Sequence, residues 1–272
     1  MNKLLVLGVL SITLGCSPKH KEIDMNGHGN HGHHHDGPAH GHAPQAGAEL
    51  MVTTEPAKPV AGRPVTLRMM IHAADGAMVR DFQVMHEEKV HLVIVRDGLD
   101  HFAHIHPAVD ATGNLTVTHT FPAGGTYRLY ADYAPVGGGH GTATGTLSVG
   151  GESPPAPALT PDAPGEVVAD GLSATVSAAP LTVGSPTRVS FVLRDDGGRP
   201  AGLEPYMGEL GHLMFVGAGT GRYVHVHPGG GDAARGPVEF EAHFPAAGLY
   251  KGWGQFKQGG QVRVVPFVVK VE

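Results

Sequence analysis

Short runs of alternating apolar and polar residues recur along most of the chain, and glycine, proline or aspartate interrupts each run. Residues 66–72 and 188–194 are two such runs, and an aspartate–glycine turn sequence follows each of them. A period of two places successive side chains on opposite faces of a strand, and no segment shows the 3.6-residue period of a helix. The pattern therefore predicts an all-β chain.

The pattern of strands and turns occurs twice. Leu50 and Ile71 of a first unit recur as Leu172 and Leu193 of a second unit at one constant offset. Each unit has about 100 residues, which is the usual size of one β-sandwich domain. A proline-rich segment between the units is typical of a semi-stiff linker. We therefore expect two tandem β-sandwich domains, at 49–149 and 166–272, joined by a linker at 150–165.

A histidine-bearing hairpin is the most distinctive part of the first unit. Residues 89–96 and 101–106 are predicted strands, and a four-residue turn joins them. Pairing the strands sets His91 opposite His106, and His104 shares their face. Opposed Cβ atoms lie about 4.5 to 5.5 Å apart, so three imidazoles can converge on one ion. The hairpin is therefore a candidate metal site with His91, His104 and His106 as ligands.

The second unit repeats this hairpin around a glycine-rich turn, with His212, His225 and His227 at the same spacing. A structural role is the alternative for both copies. Histidines in strands are often half buried with their nitrogens satisfied by backbone groups. In addition, Val93 and Val95 share the predicted histidine face, so that face is not simply a wet surface.

Methionine and glutamate precede each hairpin, at Met85 and Glu87 and again at Met207 and Glu209. A thioether donor favours Cu(I), whereas three imidazoles alone suit Cu(II) or Zn(II). The methionines thus tilt the predicted ion toward copper, with zinc as the other possibility, although methionine often only fills gaps in a core. Glu87 and Glu209 are candidates for carboxylates that hold an imidazole in one tautomer, and exposed loop positions are the alternative.

The beginning of the chain predicts export. An apolar segment at 4–14 follows Lys3, is too short to span a bilayer, and ends just before Cys16. It resembles a bacterial lipoprotein signal peptide at 1–15, which implies a lipid on Cys16. Thr13 stands where that pattern prefers leucine, and cleavage without lipidation is the alternative. Ser17 after the cysteine implies the outer membrane if the cell has two.

Cysteine usage and charge exclude several classes. Cys16 is the sole cysteine, which excludes disulfides, thiolate zinc sites, iron–sulfur clusters and a blue-copper centre. The formal net charge is −6 with histidine neutral, and no basic patch is present, so we expect no nucleic-acid partner.

Residues 16–48 form a polar, glycine-rich segment that cannot bury enough apolar surface to fold, so we expect a disordered tether. Seven histidines in it, typical of loose transition-metal binding, are His28, His31, His33, His34, His35, His40 and His42. A merely hydrophilic spacer is the alternative.

The segments at 121–127 and 244–250 share the pattern Phe-Pro-x-x-Gly-x-Tyr, which resembles the strand before the last in immunoglobulin-like envelope domains. The hairpins, with their His-Ile-His-Pro and His-Val-His-Pro returns, are similar to those of uncharacterised bacterial envelope lipoproteins, to the YtkA-like domain group and to proteins of copper and heavy-metal resistance. This resemblance implies an immunoglobulin-like fold and a non-enzymatic role in metal handling, with the six hairpin histidines as the matching positions.

These observations together predict a lipid-anchored envelope protein that binds a transition metal, favouring copper, for buffering, resistance or transfer to an efflux or chaperone protein. The first alternative is a structural or adhesive module that binds a protein or polysaccharide without metal. The second is a metal-dependent hydrolase, because three histidines leave a fourth position open and Glu87 or Glu209 could act as base. Two similar copies suit binding better than catalysis, so we expect no enzyme.

Overall fold

A computed structural model of the chain describes residues 47–163, 165–178, 180–231 and 236–272, with backbone only for Gly165, His227 and 229–231. The predicted signal peptide, the lipidation site Cys16 and the seven tether histidines lie outside these residues. The described ranges contain strands, turns and irregular segments and no helix. Within them, no helix is long and apolar enough to cross a membrane.

The first domain has eight strands. They are β1 (Glu49–Glu55), β2 (Pro64–His72), β3 (Val90–Arg96), β4 (Phe102–Ile105), β5 (Ala108–Val109), β6 (Leu115–Thr120), β7 (Gly125–Tyr133) and β8 (Gly141–Val149). One layer has the order β4-β3-β7-β8 and the other β1-β2-β6-β5, and a short parallel pairing of β1 with β8 joins them. Leu67, Leu92 and Phe121 are fully buried between the layers.

The second domain has nine strands. They are β9 (Gly165–Ala169), β10 (Leu172–Ala178), β11 (Pro186–Arg194), β12 (Leu203–Glu204), β13 (His212–Gly217), β14 (Tyr223–Gly231), β15 (Val238–His243), β16 (Gly248–Gln258) and β17 (Gln261–Val271). Strands β9, β10, β11 and β15 form one layer, and β12, β16, β13 and β17 belong to the other. Strand β14 pairs with β13 in one layer and with β15 in the other, with a register shift between Pro228 and Gly230. The prediction of two tandem immunoglobulin-like β-sandwiches is confirmed.

The Phe-Pro-x-x-Gly-x-Tyr segments have the same role in both domains. The Tyr127 hydroxyl donates to the carbonyl of Ala123 at 2.7 Å, and the Tyr250 hydroxyl donates to that of Ala246 at 2.9 Å. Each tyrosine is buried at the start of the strand before the last. This is the tyrosine corner of immunoglobulin-like sandwiches, and it fixes how β7 and β16 enter their sheets.

Both histidine hairpins form in the predicted register. Strands β3 and β4 pair Leu92 with Ile105 and Val95 with Phe102, and β13 and β14 pair Leu213 with Val226. Residues between the histidines, such as Leu92 and Leu213, point into the core of their own domain. The histidines consequently lie on the opposite, outer face of each sandwich.

These two outer faces pack against each other. Val93 and Val95 of the first domain form one buried cluster with Met214, Val216 and other residues of the second domain. Strand β3 is therefore buried along its whole length. A strand covered on both sides needs apolar residues at successive positions. The valines on the histidine face, which counted against a metal site, belong to an interface between the domains.

Ring stacking across this interface follows an approximate two-fold symmetry. Phe102 stacks on Trp253 with ring centroids 4.9 Å apart, and Tyr130 stacks on Tyr223 at 4.6 Å. Phe102 and Tyr223 hold the same position in the two hairpins, and Tyr130 and Trp253 hold the same position in β7 and β16. Each domain thus offers the same patch to the other, as in a symmetric dimer.

The linker is attached to both domains. Arg96 at the end of β3 donates to the Ser153 hydroxyl at 2.9 Å and to the Pro154 carbonyl at 2.6 Å. Farther along, Asp162 exchanges two hydrogen bonds with the backbone of Val268 in β17. Between these anchors Leu159 packs against the interface cluster. The linker therefore holds the domains together as well as connecting them.

We expect the substitution Trp253→Ala to lower the free energy of unfolding by about 3 kcal/mol, because it removes a large buried ring from the interface. Urea denaturation measures this loss. Val168→Ala in β9, where the residue is 73% exposed, is the matched control and should change stability by less than about 0.5 kcal/mol. If Trp253→Ala is as mild as the control, the domains do not pack through this face.

Candidate metal centre

Three histidines of the first hairpin converge at the domain interface. His91 lies near the start of β3, His104 lies in β4, and His106 follows β4 directly. One ring nitrogen from each lies within 4.8 Å of the others. The ring centroids of the three pairs are 5.4, 5.0 and 4.9 Å apart. The structure thus brings together the three side chains that the hairpin pattern singled out.

The tautomer of His91 follows from its neighbour. Its Nε2 lies 2.9 Å from the backbone carbonyl oxygen of Met85. A carbonyl only accepts, so Nε2 carries the hydrogen and Nδ1 carries the lone pair. The turn that precedes β3 thereby aims Nδ1 of His91 toward the hairpin.

The tautomer of His104 is set from the other domain. Its Nδ1 lies 2.7 Å from the side-chain oxygen Oε1 of Gln255 in β16. Because that oxygen also only accepts, Nδ1 is the donor and Nε2 carries the lone pair. Nε2 of His104 lies 3.2 Å from Nδ1 of His91. The two lone pairs therefore face each other at hydrogen-bond distance. Neither of these two nitrogens carries a hydrogen that could form a hydrogen bond with the other.

The third histidine has an unsatisfied atom. Nε2 of His106 is buried and has no hydrogen-bond partner among the described residues. A buried polar atom without a partner is uncommon in a folded protein and marks a position that an ion or ligand can satisfy. A tetrahedral ion with bonds of about 2.0 to 2.1 Å holds its ligand nitrogens about 3.3 Å apart. The spacing of 3.2 Å between His91 and His104 fits such an ion.

Burial keeps these imidazoles neutral. Desolvation lowers the pKa of His91 to about 4, against the smaller opposing effect of the Met85 carbonyl. Desolvation also lowers the pKa of His104 well below its usual value, and that of His106 to a lesser degree. Neutral imidazole is the form that binds metals. The cluster is therefore ready to bind an ion at neutral pH.

The second hairpin has the same pattern of donors. Nε2 of His212 lies 2.9 Å from the carbonyl oxygen of Tyr206, as Nε2 of His91 does from that of Met85. Nδ1 of His225 lies 2.7 Å from Oδ2 of Asp132, a residue of β7 in the first domain. The third predicted ligand, His227, lies outside the residues whose side chains are described.

Asp132 is a buried carboxylate with three donors. Besides His225, the hydroxyls of Thr142 and Tyr223 donate to it. Burial alone would raise its pKa, but the nearby His225 and these hydrogen bonds together lower the pKa to about 2. Sequence comparison of the two units aligns Asp132 with Gln255, and these are the residues that hold His225 and His104 across the interface.

Glu87 and Glu209 take part in none of the four hydrogen bonds described above, and their role in holding an imidazole stays a prediction. Two use the carbonyls of Met85 and Tyr206, and two use Gln255 and Asp132. Glu87 is exposed in the turn before β3, and Glu209 Oε1 lies 3.9 Å from Nδ1 of His86. The turn supplies backbone acceptors close to each hairpin, so carboxylates in the turn are not needed for this purpose.

The structure also corrects the alignment of the methionines. The turns before the hairpins are closed by backbone pairs of Met85 with Glu88 and of Tyr206 with Glu209, so Met85 corresponds to Tyr206. Met207 is buried with a positive φ of 54° and corresponds to His86, whose φ is 46°. The two methionines therefore do not occupy equivalent positions in the two domains. Their role as thioether ligands stays a prediction.

His86 is a further residue of the centre, and the repeated hairpin pattern does not include it because the second unit has no histidine at the equivalent position. Its ring lies 5.5 Å from that of His212 and 6.2 Å from that of His91, so it lies beside both hairpins. The rings of His104 and His212 are 6.1 Å apart. Histidines of both domains thus form one cluster at the interface, instead of two remote sites.

A second pair of histidines lies elsewhere in the first domain. The rings of His101 and His119 are 5.6 Å apart, and the Nε2 atom of each is buried without a partner among the described residues. Desolvation lowers the pKa of His101 to about 4. Two such atoms do not complete a coordination sphere.

Comparison with known families identifies the repeat. A model described as a domain of unknown function, DUF8832, matches residues 45–151 and again residues 166–272. The chain belongs to the DUF8832 family. It contains two DUF8832 domains, and the family description carries no function. The resemblance to YtkA-like domains and to copper-resistance proteins stays a prediction. No curated protein matches the sequence.

Several solved structures are distantly similar to the tandem DUF8832 domains. The Escherichia coli adhesin FdeC has 16% identity and a TM-score of 0.27, over 82% of this chain and 64% of its own. A putative membrane-anchored protein from Corynebacterium diphtheriae has 11% identity and a TM-score of 0.26, over 84% of this chain and 57% of its own. Red sea bream transglutaminase has 12% identity and a TM-score of 0.24, over 82% of this chain and 31% of its own. The chain spans less than two thirds of each, and these likenesses say nothing about function.

We expect the metal-free protein to lose stability as pH falls from about 6.5 to about 4. The unfolded chain binds protons at its histidines below about 6.5, whereas folded His91 remains neutral down to about 4. Stability from this group is thus complete above about 6.5 and decreases on acidification, by about 3 kcal/mol for His91 alone. Urea denaturation after dialysis against a chelator measures the profile. A profile that is flat between pH 7 and pH 4 would contradict burial of neutral imidazoles.

Proposed function

We propose that this protein binds a transition-metal ion between its two domains, through Nδ1 of His91, Nε2 of His104 and Nε2 of His106. Copper is the favoured ion and zinc the other candidate. The role we propose is buffering, resistance or transfer of the ion in the bacterial cell envelope. The proposal is about binding, and it assigns no catalysed reaction.

The observation that carries this proposal is the contact between His91 and His104. The ring N–H groups of His91 and His104 donate to Met85 and Gln255. Nδ1 of His91 and Nε2 of His104, which lie 3.2 Å apart, therefore both carry lone pairs. Such a contact is repulsive unless a positive centre lies between the nitrogens. A metal ion supplies that centre, and the buried nitrogen of His106 supplies its third ligand.

The ligand set supports a borderline metal. Three neutral imidazoles suit Cu(II) or Zn(II), and a thioether would shift the preference toward Cu(I). Met85 is close in sequence and gives its carbonyl to His91. Its sulfur is our candidate for the fourth ligand of a Cu(I) ion in the first domain, and Met207 is the candidate in the second.

The rest of the proposal comes from the sequence. A lipid on Cys16 would attach the protein to a membrane, the outer one in a cell with two. The seven tether histidines would capture ions loosely near that membrane and pass them to the folded site. An efflux or chaperone protein would then receive or deliver the ion.

A structural or adhesive module is the second candidate function. The observation in its favour is that each of four hairpin histidines already has one hydrogen bond, to backbone or to the opposite domain. In that case the imidazoles only fasten the domains together, and a protein or polysaccharide would bind to an outer surface. Metal addition then leaves the thermal midpoint unchanged, whereas a bound ion raises it with concentration.

A hydrolase would need a substrate cleft beside the ion. A cleft of about 540 Å³ lies between residues 161–163, β10 and β17 of the second domain, and no hairpin histidine lines it. The candidate ligands lie instead in a face covered by the other domain. This placement favours holding an ion over presenting it to a substrate.

We expect the folded site to take up Cu(II) or Zn(II) when the seven tether histidines are replaced by serine in the full chain. Isothermal titration should then give a saturable step that His106→Ala weakens more than tenfold. This variant removes a ligand without breaking a hydrogen bond of Nε2, so it should still fold. His243→Ala is the matched control, since His243 is partly exposed in β15 and bonds to Glu241.

The triple variant His91→Ala, His104→Ala, His106→Ala should remove the step of the first hairpin altogether. Circular dichroism checks that each variant is folded. Uptake by the tether-substituted chain that is no stronger than that of the triple variant would lead us to abandon metal binding at this hairpin.

We expect pH to separate the two modes of binding. An imidazole with an ordinary pKa gains a proton near pH 6.5, whereas His91 gains one only near pH 4. The full chain should therefore release loosely bound ions between pH 7 and pH 6 and retain the tightly bound ion to below about pH 5. Bound metal measured after dialysis at each pH tests this. Complete release by pH 6 would place all binding in the tether.

A further inference from the structure

The acceptor that holds His104 comes from the other domain. Nδ1 of His104, in β4, donates to Oε1 of Gln255, in β16, at 2.7 Å. Gln255 is only 4% exposed, so this contact is shielded from water. The acceptor of His91, by contrast, is the Met85 carbonyl of its own domain. Of the two opposed lone pairs, one is therefore set within the first domain, and the other depends on the second domain.

The ring of His104 has an alternative when Gln255 is withdrawn. A neutral imidazole carries one hydrogen, which can lie on either ring nitrogen. Without an acceptor at Nδ1, His104 can carry the hydrogen on Nε2 and donate it to Nδ1 of His91, 3.2 Å away. That hydrogen bond satisfies both nitrogens without an ion. The two rings consequently form either a pair of metal donors or a closed hydrogen bond, and Gln255 selects between these states.

Ring stacking beside this contact links it to the packing of the domains. Phe102 lies two residues before His104 in β4, so the two side chains share one face of the strand. Trp253 and Gln255 have the same relation in β16. The rings of Phe102 and Trp253 stack with centroids 4.9 Å apart. The stack therefore sets the spacing at which Gln255 reaches His104, and the acceptor is withdrawn when the two faces part.

We propose that the second domain acts as a switch for the ion site of the first hairpin, with Gln255 as the positioning residue. While the domains are packed, Gln255 holds His104 in the tautomer that offers Nε2 to the ion. When they part, Nε2 of His104 donates to His91, and the ion loses two of its three nitrogen ligands. The inference rests on the proposed function and names the event that releases the ion.

Domain packing and ion binding are coupled in both directions by this switch. Coupling between two equilibria is reciprocal, so the ion strengthens packing by the same factor by which packing strengthens ion binding. The linker keeps the parted domains close, since Arg96 bonds to Ser153 and Pro154 at one end and Asp162 bonds to Val268 at the other. Opening and closing can therefore occur within one chain.

The test compares two substitutions of Gln255 in the full chain with the seven tether histidines replaced by serine. Gln255→Leu keeps a similar volume and removes the acceptor, whereas Gln255→Glu keeps an oxygen that accepts. We expect Gln255→Leu to weaken by about 10- to 100-fold the Zn(II) step that depends on His106. Gln255→Glu should bind at least as tightly as the unsubstituted residue. Gln261→Leu, at an exposed position of β17, is the matched control and should leave the step unchanged.

The tautomer of His104 in the metal-free variants separates positioning from packing. Long-range proton–nitrogen correlation spectra should show its hydrogen on Nδ1 in the unsubstituted chain and in Gln255→Glu. In Gln255→Leu the hydrogen should lie on Nε2. A residue that only fills space would change the affinity without moving this hydrogen.

Trp253→Ala tests the dependence on domain packing, because it removes the stacked ring but no candidate ligand and no acceptor. We expect it to weaken the same Zn(II) step at least about fivefold. Unchanged affinity in this variant would overturn the switch, and this measurement decides the question if Gln255→Leu does not fold.

Failure of this inference and failure of the proposed function give different results. Equal Zn(II) affinity in a folded Gln255→Leu variant and in the unsubstituted chain would overturn the role of Gln255. Equally weak binding by the leucine and glutamate variants would overturn it too, and in both cases the ion site itself stands. Uptake by the tether-substituted chain that is no stronger than that of the triple histidine variant would overturn both.

Discussion

The contact between His91 and His104 is the constraint on which the account depends. The carbonyl of Met85 and the amide oxygen of Gln255 take the hydrogens of these rings, so two lone pairs are held 3.2 Å apart. Folding therefore holds two electron-rich nitrogens close together in a buried site, and their repulsion costs free energy. In the proposed function an ion would relieve that cost, with the buried nitrogen of His106 as its third ligand.

The interface between the domains makes this contact possible. Stacking of Phe102 on Trp253 and of Tyr130 on Tyr223 brings β7 and β16 against the hairpins of the opposite domains. One hairpin alone would form the three-histidine ribbon but would leave His104 without its acceptor. The domain is duplicated, and both copies pack through the same face. The histidines of the two hairpins therefore form one cluster at the interface. Under the proposed function, metal binding and association of the domains would be linked.

The hairpins could be predicted from the chain alone, and the partners of the histidines could not. Strand alternation and turn length determine register, so pairing of Leu92 with Ile105 follows from local sequence. In the sequence, Asp132 and Gln255 are equivalent positions with different side chains. Their hydrogen bonds to histidines could not be predicted, because the pattern within one domain does not show which residues contact the other domain. The apolar side chains of Val93 and Val95 on the histidine face indicated that this face is buried, and the interface between the domains explains why. The methionines were misaligned because positive-φ turn residues, His86 and Met207, occupy equivalent positions despite their different chemistry.

The most direct test of the central claim is the tautomer of each ring in the metal-free protein, read from long-range proton–nitrogen correlation spectra of nitrogen-15-labelled histidines. The account predicts a hydrogen on Nε2 of His91 and on Nδ1 of His104, with the lone-pair nitrogens of both shifting when Zn(II) is added. A hydrogen on Nδ1 of His91, donated to Nε2 of His104, would show an ordinary hydrogen bond in place of opposed lone pairs and would contradict the account.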